Sequence, residues 1–285
     1  MTGAPRAGVA GWPIAHSRSP LIHGYWLKSL GLAGSYEKIA VPPDGFAAFA
    51  QRIRGGELAG ANITIPFKEI ACAACDRLSD DARAVGAVNT LWREGGELRG
   101  DNTDIAGFLA NLDDRAPGWS TQIRRAIVIG AGGAARAIVA ALRSRGVASI
   151  TLANRTLERA VNLASRFASG VEAASFETLP SLLAGADLLV NASSLGMQGQ
   201  PALSLELAGL PAHGIVVDLV YVPLRTPLLA AAAARGLKTV DGLGMLLHQA
   251  VPGFERWFGV RPQVTPELRA LIEADILGVH KRSAE

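Results

Sequence analysis

Cysteine is nearly missing from this 285-residue chain, and the two that occur stand together in "ACAACD" as Cys72 and Cys75. Zinc needs further ligands, and no second Cys or His pair at suitable spacing accompanies them. The pair therefore reads as two small residues on a structural helix, and no metal is expected. The five histidines, His16, His23, His213, His248 and His280, include no HxxxH pair and read as structural. Charge of one sign is also scarce: 28 Lys and Arg against 25 Asp and Glu leave a net +3, with no basic run or stripe. That excludes a surface built to track a nucleic-acid backbone and suits small anionic ligands. The longest apolar stretches, such as "AIVIGAGGAARAIVAAL", are cut by glycine or by Arg136 before they could span a bilayer, so no membrane partner is expected. The opening "MTGAPRAGVAGWPIAHS" lacks a charged start followed by a sustained apolar run, which points to the cytoplasm rather than secretion.

Apolar side chains are plentiful, 49% of residues against 19% charged, which excludes wholesale disorder and at this length allows two domains. Short apolar runs alternate with helical ones: "AGVAG", "PLIHGYWLKSL", "YEKIAV", "GFAAFAQRI", "GANITI". This βα rhythm predicts a mostly parallel sheet with helices on its faces. "NTLWREGGELRGDNT" interrupts it as a hairpin turning at Gly95 and Gly96. The polar "NLDDRAPGWSTQIRR" marks a boundary, after which "RRAIVIGAGGAARAIVAALRSRG", "SITLANRTLERAVNLASRF", "LLVNASSLGM" and "IVVDLVY" read as a doubly wound block. The Ala-rich "LLAAAAARG" reads as a helix stopped by Gly236. The chain then turns helical, with Thr265 capping "TPELRALIEADIL" and Pro266 in its first turn, and this tail is expected to pack on the first block. The aromatic residues Trp12, Tyr25 and Trp26 form either a dimer surface or core; a monomer or homodimer is expected.

Two stretches carry chemistry. In "NITIPFK", strand alternation puts Ile63, Ile65 and Phe67 on one side and Asn62, Thr64, Pro66 and Lys68 on the other, offering a carboxamide, a hydroxyl and an ammonium in a row. In "IVIGAGGAARA", Gly130, Gly132 and Ala135 form a G-x-G-x-x-A arrangement between a buried strand and a helix. The first glycine makes the turn, the second lets backbone approach a pyrophosphate, and the alanine permits close helix packing. An acid at the end of the next strand would bind the ribose of NAD; this chain instead has "LANRTLERA". Asn154, Arg155 and Thr156 suit an anionic 2′-phosphate, and Arg159 is either a second guanidinium or a solvated helix residue. NADP is the expected cofactor.

With these pieces in place the chain resembles the shikimate dehydrogenase family along nearly its whole length. The resemblance is carried by "GWPIAHSRSPLIH", "GANITIPFKE", "GAVNTL", "GDNTD", "GAGGAAR", "NRT" and "DGLGMLLHQA" in that order. It implies a two-domain α/β fold: a substrate domain with a mostly parallel sheet, 1–106, completed by C-terminal helices, 242–285, and a Rossmann-type NADP-binding domain, 107–241. It implies reduction of 3-dehydroshikimate to shikimate with NADPH, on the way to aromatic amino acids. Lys68 matches the family's catalytic lysine and Asp104 its catalytic aspartate. Hydride transfer to or from a secondary alcohol needs a titratable group at the same oxygen, and such a pair supplies it. Read without the family, Lys68 is a surface residue and Asp104 a helix cap.

The same resemblance assigns Ser17 and Ser19 to the substrate carboxylate, with Tyr221 able to join them. Thr64, Asn89 and Gln249 match groups that read the ring hydroxyls, and Asn62 belongs to the same motif. Gly130, Gly132, Gly133 and Ala134 line the pyrophosphate turn, with Asn154, Arg155, Thr156 and Arg159 at the 2′-phosphate. Ser193, Leu219 and Gly242 fall along the nicotinamide half, with Met245 near the ring. Departures from the family pattern are Gly24, where Asn is common, Ser193, where Thr is frequent, and "VYVP" after Leu219. Two rivals remain: a quinate/shikimate dehydrogenase using NAD, which the paired serines and Arg155 oppose, and a non-catalytic NADPH sensor, which would not need Lys68 with Asp104. A glutamyl-tRNA reductase-like protein would need a nucleophilic cysteine, and Cys72 and Cys75 lie in the wrong motif.

Overall fold

The computed structural model describes residues 3–279, so His280 lies outside the described residues. It separates into two compact units, 1–106 with 247–285, and 107–246. The first unit runs β1 (Arg6–Gly11), α1 (Ser19–Ser29), β2 (Ser35–Ala40), α2 (Phe46–Arg54), β3 (Gly60–Ile63), α3 (Lys68–Ala74), β4 (Arg77–Leu78), α4 (Asp80–Val85), β5 (Thr90–Glu94) and β6 (Glu97–Asp101). Its sheet has the order β2-β1-β3-β5-β6-β4. The β1 pairings with β2 and β3 are parallel, as βα crossovers require. The β5–β6 hairpin is antiparallel, with Gly95 at φ 60° and Gly96 at φ 86°, the left-handed pair a two-residue turn demands.

The two faces of this sheet hold separate apolar layers. Phe46, Phe49 and Ile53 of α2 and Ala71 of α3 cover one face together with Ile39, Ile63 and Leu91. On the other face Val9 and Tyr36 pack with Trp257 of α12 (Ala250–Phe258). A Cβ on Gly60 would lie 2.1 Å from both Leu91 O and Trp257 Nε1. Glycine there lets the indole reach the sheet and donate to Leu91 O at 2.9 Å. Helix α13 (Pro266–Leu277) is capped by Thr265, whose hydroxyl accepts from Leu268 N, and packs on α1, where Arg18 pairs with Asp275 at 2.8 Å.

Two expectations need correction. The alternation expected through "NITIPFK" ends at Ile63, where β3 stops; a turn closed by Phe67 N–H donating to Thr64 O at 3.0 Å follows, and Lys68 opens α3. Ile65 is therefore 74% exposed while Ile63 and Phe67 are buried. Trp12, Tyr25 and Trp26 do not form one surface patch: Trp26 is core, Trp12 is exposed and Tyr25 half-buried. Cys72 and Cys75 are half-buried thiols packed against the α2–α3 core, and burial pushes Cys75 up to about 12.

Helix α5 (Asp104–Arg115) leads into the second unit, which contains α6 (Trp119–Gln122), β7 (Arg125–Ile129), α7 (Gly133–Ser144), β8 (Ser149–Asn154), α8 (Leu157–Ala164), β9 (Val171–Ser175) and α9 (Leu179–Leu182). It continues through β10 (Leu188–Asn191), β11 (Ile215–Asp218), α10 (Pro227–Ala234) and β12 (Lys238–Val240) to α11 (Gly242–His248). The sheet order β12-β11-β10-β7-β8-β9 is wholly parallel and reverses direction at β7. This is the doubly wound arrangement, whose ligand crevice lies at the carboxyl ends of the strands flanking the reversal, here β7 and β10. Gly236, at φ 71°, follows α10 as its stop. Among the described residues no helix is long and apolar enough to cross a membrane.

Candidate active site

In the first unit, the turn after β3 starts α3 at Lys68, and the loop after β6 starts α5 at Asp104. Lys68 Nζ donates to Asp104 Oδ2 at 2.6 Å. The aspartate side chain is 12% exposed and the lysine's 29%, so the pair is anchored from inside while the ammonium stays reachable. Asn89 Nδ2 donates to the other carboxylate oxygen, Oδ1, at 2.9 Å. Asn89 is itself buried, and its Oδ1 accepts from Thr103 N at 2.8 Å and from Thr90 Oγ1 at 3.0 Å, so its amide orientation is set by an unambiguous backbone donor. Asp104 is the first residue of α5 rather than its side-chain cap: its carboxylate oxygens accept from Lys68 and Asn89, while its own N–H donates to Asn102 Oδ1 at 3.2 Å.

Ser17 sits in the loop entering α1 and Ser19 is the helix's first residue, with Ser17 Oγ donating to Ser19 Oγ at 3.3 Å. Thr64 is half-buried at the end of β3, held by its N–H to Ala10 O at 3.0 Å. Asn62 is buried beneath it and accepts from Tyr36 Oη at 2.6 Å. The backbone carbonyl of Gln249, at the start of α12, accepts from Thr103 Oγ1 at 2.8 Å. Tyr221 belongs to the second unit and Gln249 to the first.

In the second unit, β7 gives way to Gly130, whose φ of 115° favours glycine and where a Cβ would meet Ala192 O at 3.0 Å. A Cβ on Gly132 or Gly133 would meet nothing within 4 Å, so the start of α7 presents bare backbone to open space. With Ala134 exposed and Ala135 fully buried, the helix packs tightly behind an accessible N-terminus. An anionic pyrophosphate fits that end, where unpaired N–H groups and the helix dipole converge. A pocket of about 200 Å³ beside it is lined by Gly130, Asn154, Arg155 and Ser193 among others. Asn154 Nδ2 donates to Thr156 O at 2.9 Å, shaping the β8–α8 turn. Arg155, Thr156 and Arg159 are exposed, and neither guanidinium makes an ion pair with another described residue.

Ser193 Oγ donates to Asn191 Oδ1 at 2.7 Å and accepts from Leu195 N at 3.2 Å, so its hydroxyl shapes its own turn. Leu219 N donates to Asn191 O at 3.0 Å. A Cβ on Gly242 would lie 2.1 Å from Leu219 O, which binds the start of α11 closely to the end of β11. Met245 is 9% exposed, so most of its side chain serves the core.

Sequence reading missed the buried groups behind these residues. Asp218, fully buried at the end of β11, accepts from Asn191 Nδ2 at 2.9 Å, Val220 N at 3.0 Å and Thr226 Oγ1 at 2.6 Å. Burial pushes its carboxyl above the usual carboxylate range, and those three donors offset part of the rise. Thr90, Thr103 and Tyr36 are the equivalent group in the first unit. "IVVDLVY" and "GDNTD" contain acids and amides at strand ends, a signal that does not say which of them turn inward.

Three family comparisons match the chain in order. Residues 9–91 match the shikimate dehydrogenase substrate binding domain, 114–197 the shikimate/quinate 5-dehydrogenase family, and 242–271 the shikimate 5′-dehydrogenase C-terminal domain. The chain is 59% identical over 272 residues to a shikimate dehydrogenase (NADP(+)) of Mesorhizobium japonicum, covering 95% of this chain and 97% of that protein. It is 58% identical to its counterpart from Nitrobacter winogradskyi, covering 95% and 96%. Among solved structures, shikimate 5-dehydrogenase of Thermus thermophilus in complex with NADP(H) and shikimate matches with a TM-score of 0.83 at 38% identity, over 96% of this chain and 99% of that one. A quinate dehydrogenase of Corynebacterium glutamicum in complex with NAD matches with a TM-score of 0.88 at 30% identity, over 95% and 99%. Residues 9–271 thus carry the family's domains in the family's order, and the chain belongs to the shikimate dehydrogenase family.

Proposed function

We propose that the chain is an NADP-dependent oxidoreductase that interconverts 3-dehydroshikimate and shikimate, a step of chorismate and aromatic amino acid biosynthesis. The observation that carries the reading is the Lys68–Asp104 pair at 2.6 Å, held from behind by Asn89. NADPH, when bound, supplies the hydride. Lys68 delivers a proton to the carbonyl oxygen as it becomes a hydroxyl, and in the reverse direction receives it. Asp104 orients the ammonium and accepts from the neighbouring ring hydroxyl, so that a substrate lacking that hydroxyl would leave the buried carboxylate one donor short. Ser17 and Ser19, with Tyr221, hold the substrate carboxylate; Thr64, Asn89 and Gln249 read the ring hydroxyls.

The bare backbone of Gly132 and Gly133 at the start of α7, together with Gly130 and Ala134, receives the pyrophosphate. Arg155 and Arg159, which make no ion pair with a described residue, hold the 2′-phosphate with Asn154 and Thr156, and a carboxylate at this place would repel it. Ser193, Leu219, Gly242 and Met245 border the nicotinamide half. The test is initial rates with shikimate or quinate crossed against NADP⁺ or NAD⁺. A strong preference for shikimate with NADP⁺ is expected. Comparable rates with quinate or NAD⁺ would move the chain to the broader quinate-using enzymes, and cofactor binding without turnover would favour a sensor.

A further inference from the structure

A line of buried hydrogen bonds leads away from the proposed proton-transfer pair. Tyr36 Oη donates to Asn62 Oδ1 at 2.6 Å, and Asn62 Nδ2 donates to Thr90 Oγ1 at 3.2 Å. Thr90 Oγ1 then donates to Asn89 Oδ1 at 3.0 Å, and Asn89 Nδ2 donates to Asp104 Oδ1 at 2.9 Å. Each link has its donor on the side away from Asp104. The direction is set by the backbone carbonyl of Asn89, which can only accept: it takes the NH₂ end of Asn62 at 3.3 Å and so leaves the carbonyl end of Asn62 to accept from the phenol. At its far end, Tyr36 has Ser19 beside the phenol, and Ser19 in turn accepts from Ser17.

All four interior members are buried: Tyr36 is 9% exposed, Asn62 5%, Asn89 3% and Thr90 1%. At this burial successive donors polarise one another, and a broken link leaves an unpaired buried atom. The phenol itself is clamped by His23, whose ring stacks on it at 3.8 Å and 6°, and by Trp257 at 5.8 Å.

We infer that Tyr36 is a positioning residue for the reaction: through Asn62, Thr90 and Asn89 it orients the Asp104 carboxylate toward Lys68 and links that carboxylate to the serine pair. This rests on the reading of Lys68 and Asp104 as the proton-transfer pair. Losing the phenol hydroxyl unpins Asn62, whose carboxamide can then rotate and draw the Thr90 hydroxyl away from Asn89. The dyad remains but is less well aimed, so turnover suffers more than substrate affinity.

The experiment compares Tyr36→Phe, Thr90→Val, Thr90→Ser and Lys68→Ala, each checked for folding by circular dichroism and thermal melting, with kcat and KM for shikimate at saturating NADP⁺. Tyr36→Phe and Thr90→Val should each lower kcat by about five- to tenfold, the scale of one lost hydrogen bond, with KM within about twofold. Thr90→Ser, which keeps the hydroxyl, should restore turnover to near the parent value. Folded Tyr36→Phe and Thr90→Val with parental kcat would overturn the inference, as would Thr90→Ser being as poor as Thr90→Val. If Tyr36→Phe does not fold, the two Thr90 variants decide alone. Lys68→Ala separates the two levels: inactive Lys68→Ala beside fully active relay variants discards Tyr36 and keeps the dyad, whereas active Lys68→Ala removes the dyad and the relay with it.

Discussion

The two units prepare their polar groups in opposite ways. In the first, Lys68 and Asp104 are already paired at 2.6 Å, and the aspartate's second oxygen is already occupied by Asn89. In the second, Arg155 and Arg159 stand exposed with no ion pair among the described residues, and a Cβ on Gly132 or Gly133 at the start of α7 would meet nothing within 4 Å. The contrast follows from what each set has to do. Proton transfer loses rate steeply with misplacement, so its groups are fixed before substrate arrives. A phosphate is bound by charge and by multiple donors, and cations that are not already neutralised by the protein bind it better. Each unit also hides an acid-centred network at strand ends, around Asp104 and around Asp218: an asparagine amide donates to the carboxylate in both, joined by the Lys68 ammonium at Asp104 and by the Thr226 hydroxyl at Asp218.

The comparison breaks most decisively at Lys68. Lys68→Ala should reduce kcat by about 10²–10⁴-fold with little change in shikimate affinity; steady-state rates near the parent's would mean that the pre-paired groups are structural. Next in size is an effect in the aromatic layer of the first unit. His23 is fully buried among Tyr36, Trp26, Phe254 and Trp257, and burial pushes its imidazole from 6.5 down to about 3. As pH falls below 6.5 the unfolded chain takes up a proton that the folded chain refuses until about 3. Stability is therefore present above 6.5 and drains away across that window, by up to about 5 kcal/mol. Urea melts at pH 7, 5 and 4 should show a flatter acid dependence for His23→Phe than for the parent; parallel curves would clear His23.

On the other side of the comparison, Arg155→Ala should weaken NADP⁺ binding by about 1.5–3 kcal/mol and leave NAD⁺ nearly untouched. Equal losses, measured by titration, would show that the open guanidinium does not read the 2′-phosphate. The smallest effect sharpens the contrast between exposed and buried networks using one chemistry twice. Thr265 and Thr226 cap α13 and α10 in the same way, but Thr226 is fully buried and also donates to Asp218 at 2.6 Å. Thermal or urea melts should find Thr265→Ala costing about 1 kcal/mol and Thr226→Ala about 2–3 kcal/mol, because a buried charged acceptor loses its donor. Equal costs would mean that the Asp218 network contributes nothing beyond the cap.

Much of this was legible in the chain. The βα rhythm, the glycine pair at 95–96, the Thr265 cap and the G-x-G-x-x-A turn are local signals, because turn chemistry, capping and apolar spacing act over a few residues. The absence of an acid after β8 was equally plain, since the place to look for one is set by the length of a single βα unit. "NITIPFK" shows where local reading stops. Alternation describes Asn62 and Ile63 and then fails, because the strand ends and Lys68 opens a helix, leaving Ile65 at the surface. The rhythm of two persists only while the chain remains a strand.

The sequence by itself determined the two α/β blocks, the glycine turn, the cationic loop in place of an acid, and the residue types available for proton transfer. Only the tertiary structure decided that Lys68 and Asp104, 36 positions apart, meet at 2.6 Å and that Asn89 holds the second oxygen. It also decided that Tyr36, Asn62 and Thr90 turn inward in one line of donors. The physical reason is that capping and turn formation are settled by neighbours in the chain. The partner of a buried polar atom is settled by whichever strands the sheet brings alongside, and burial then makes that choice costly to undo.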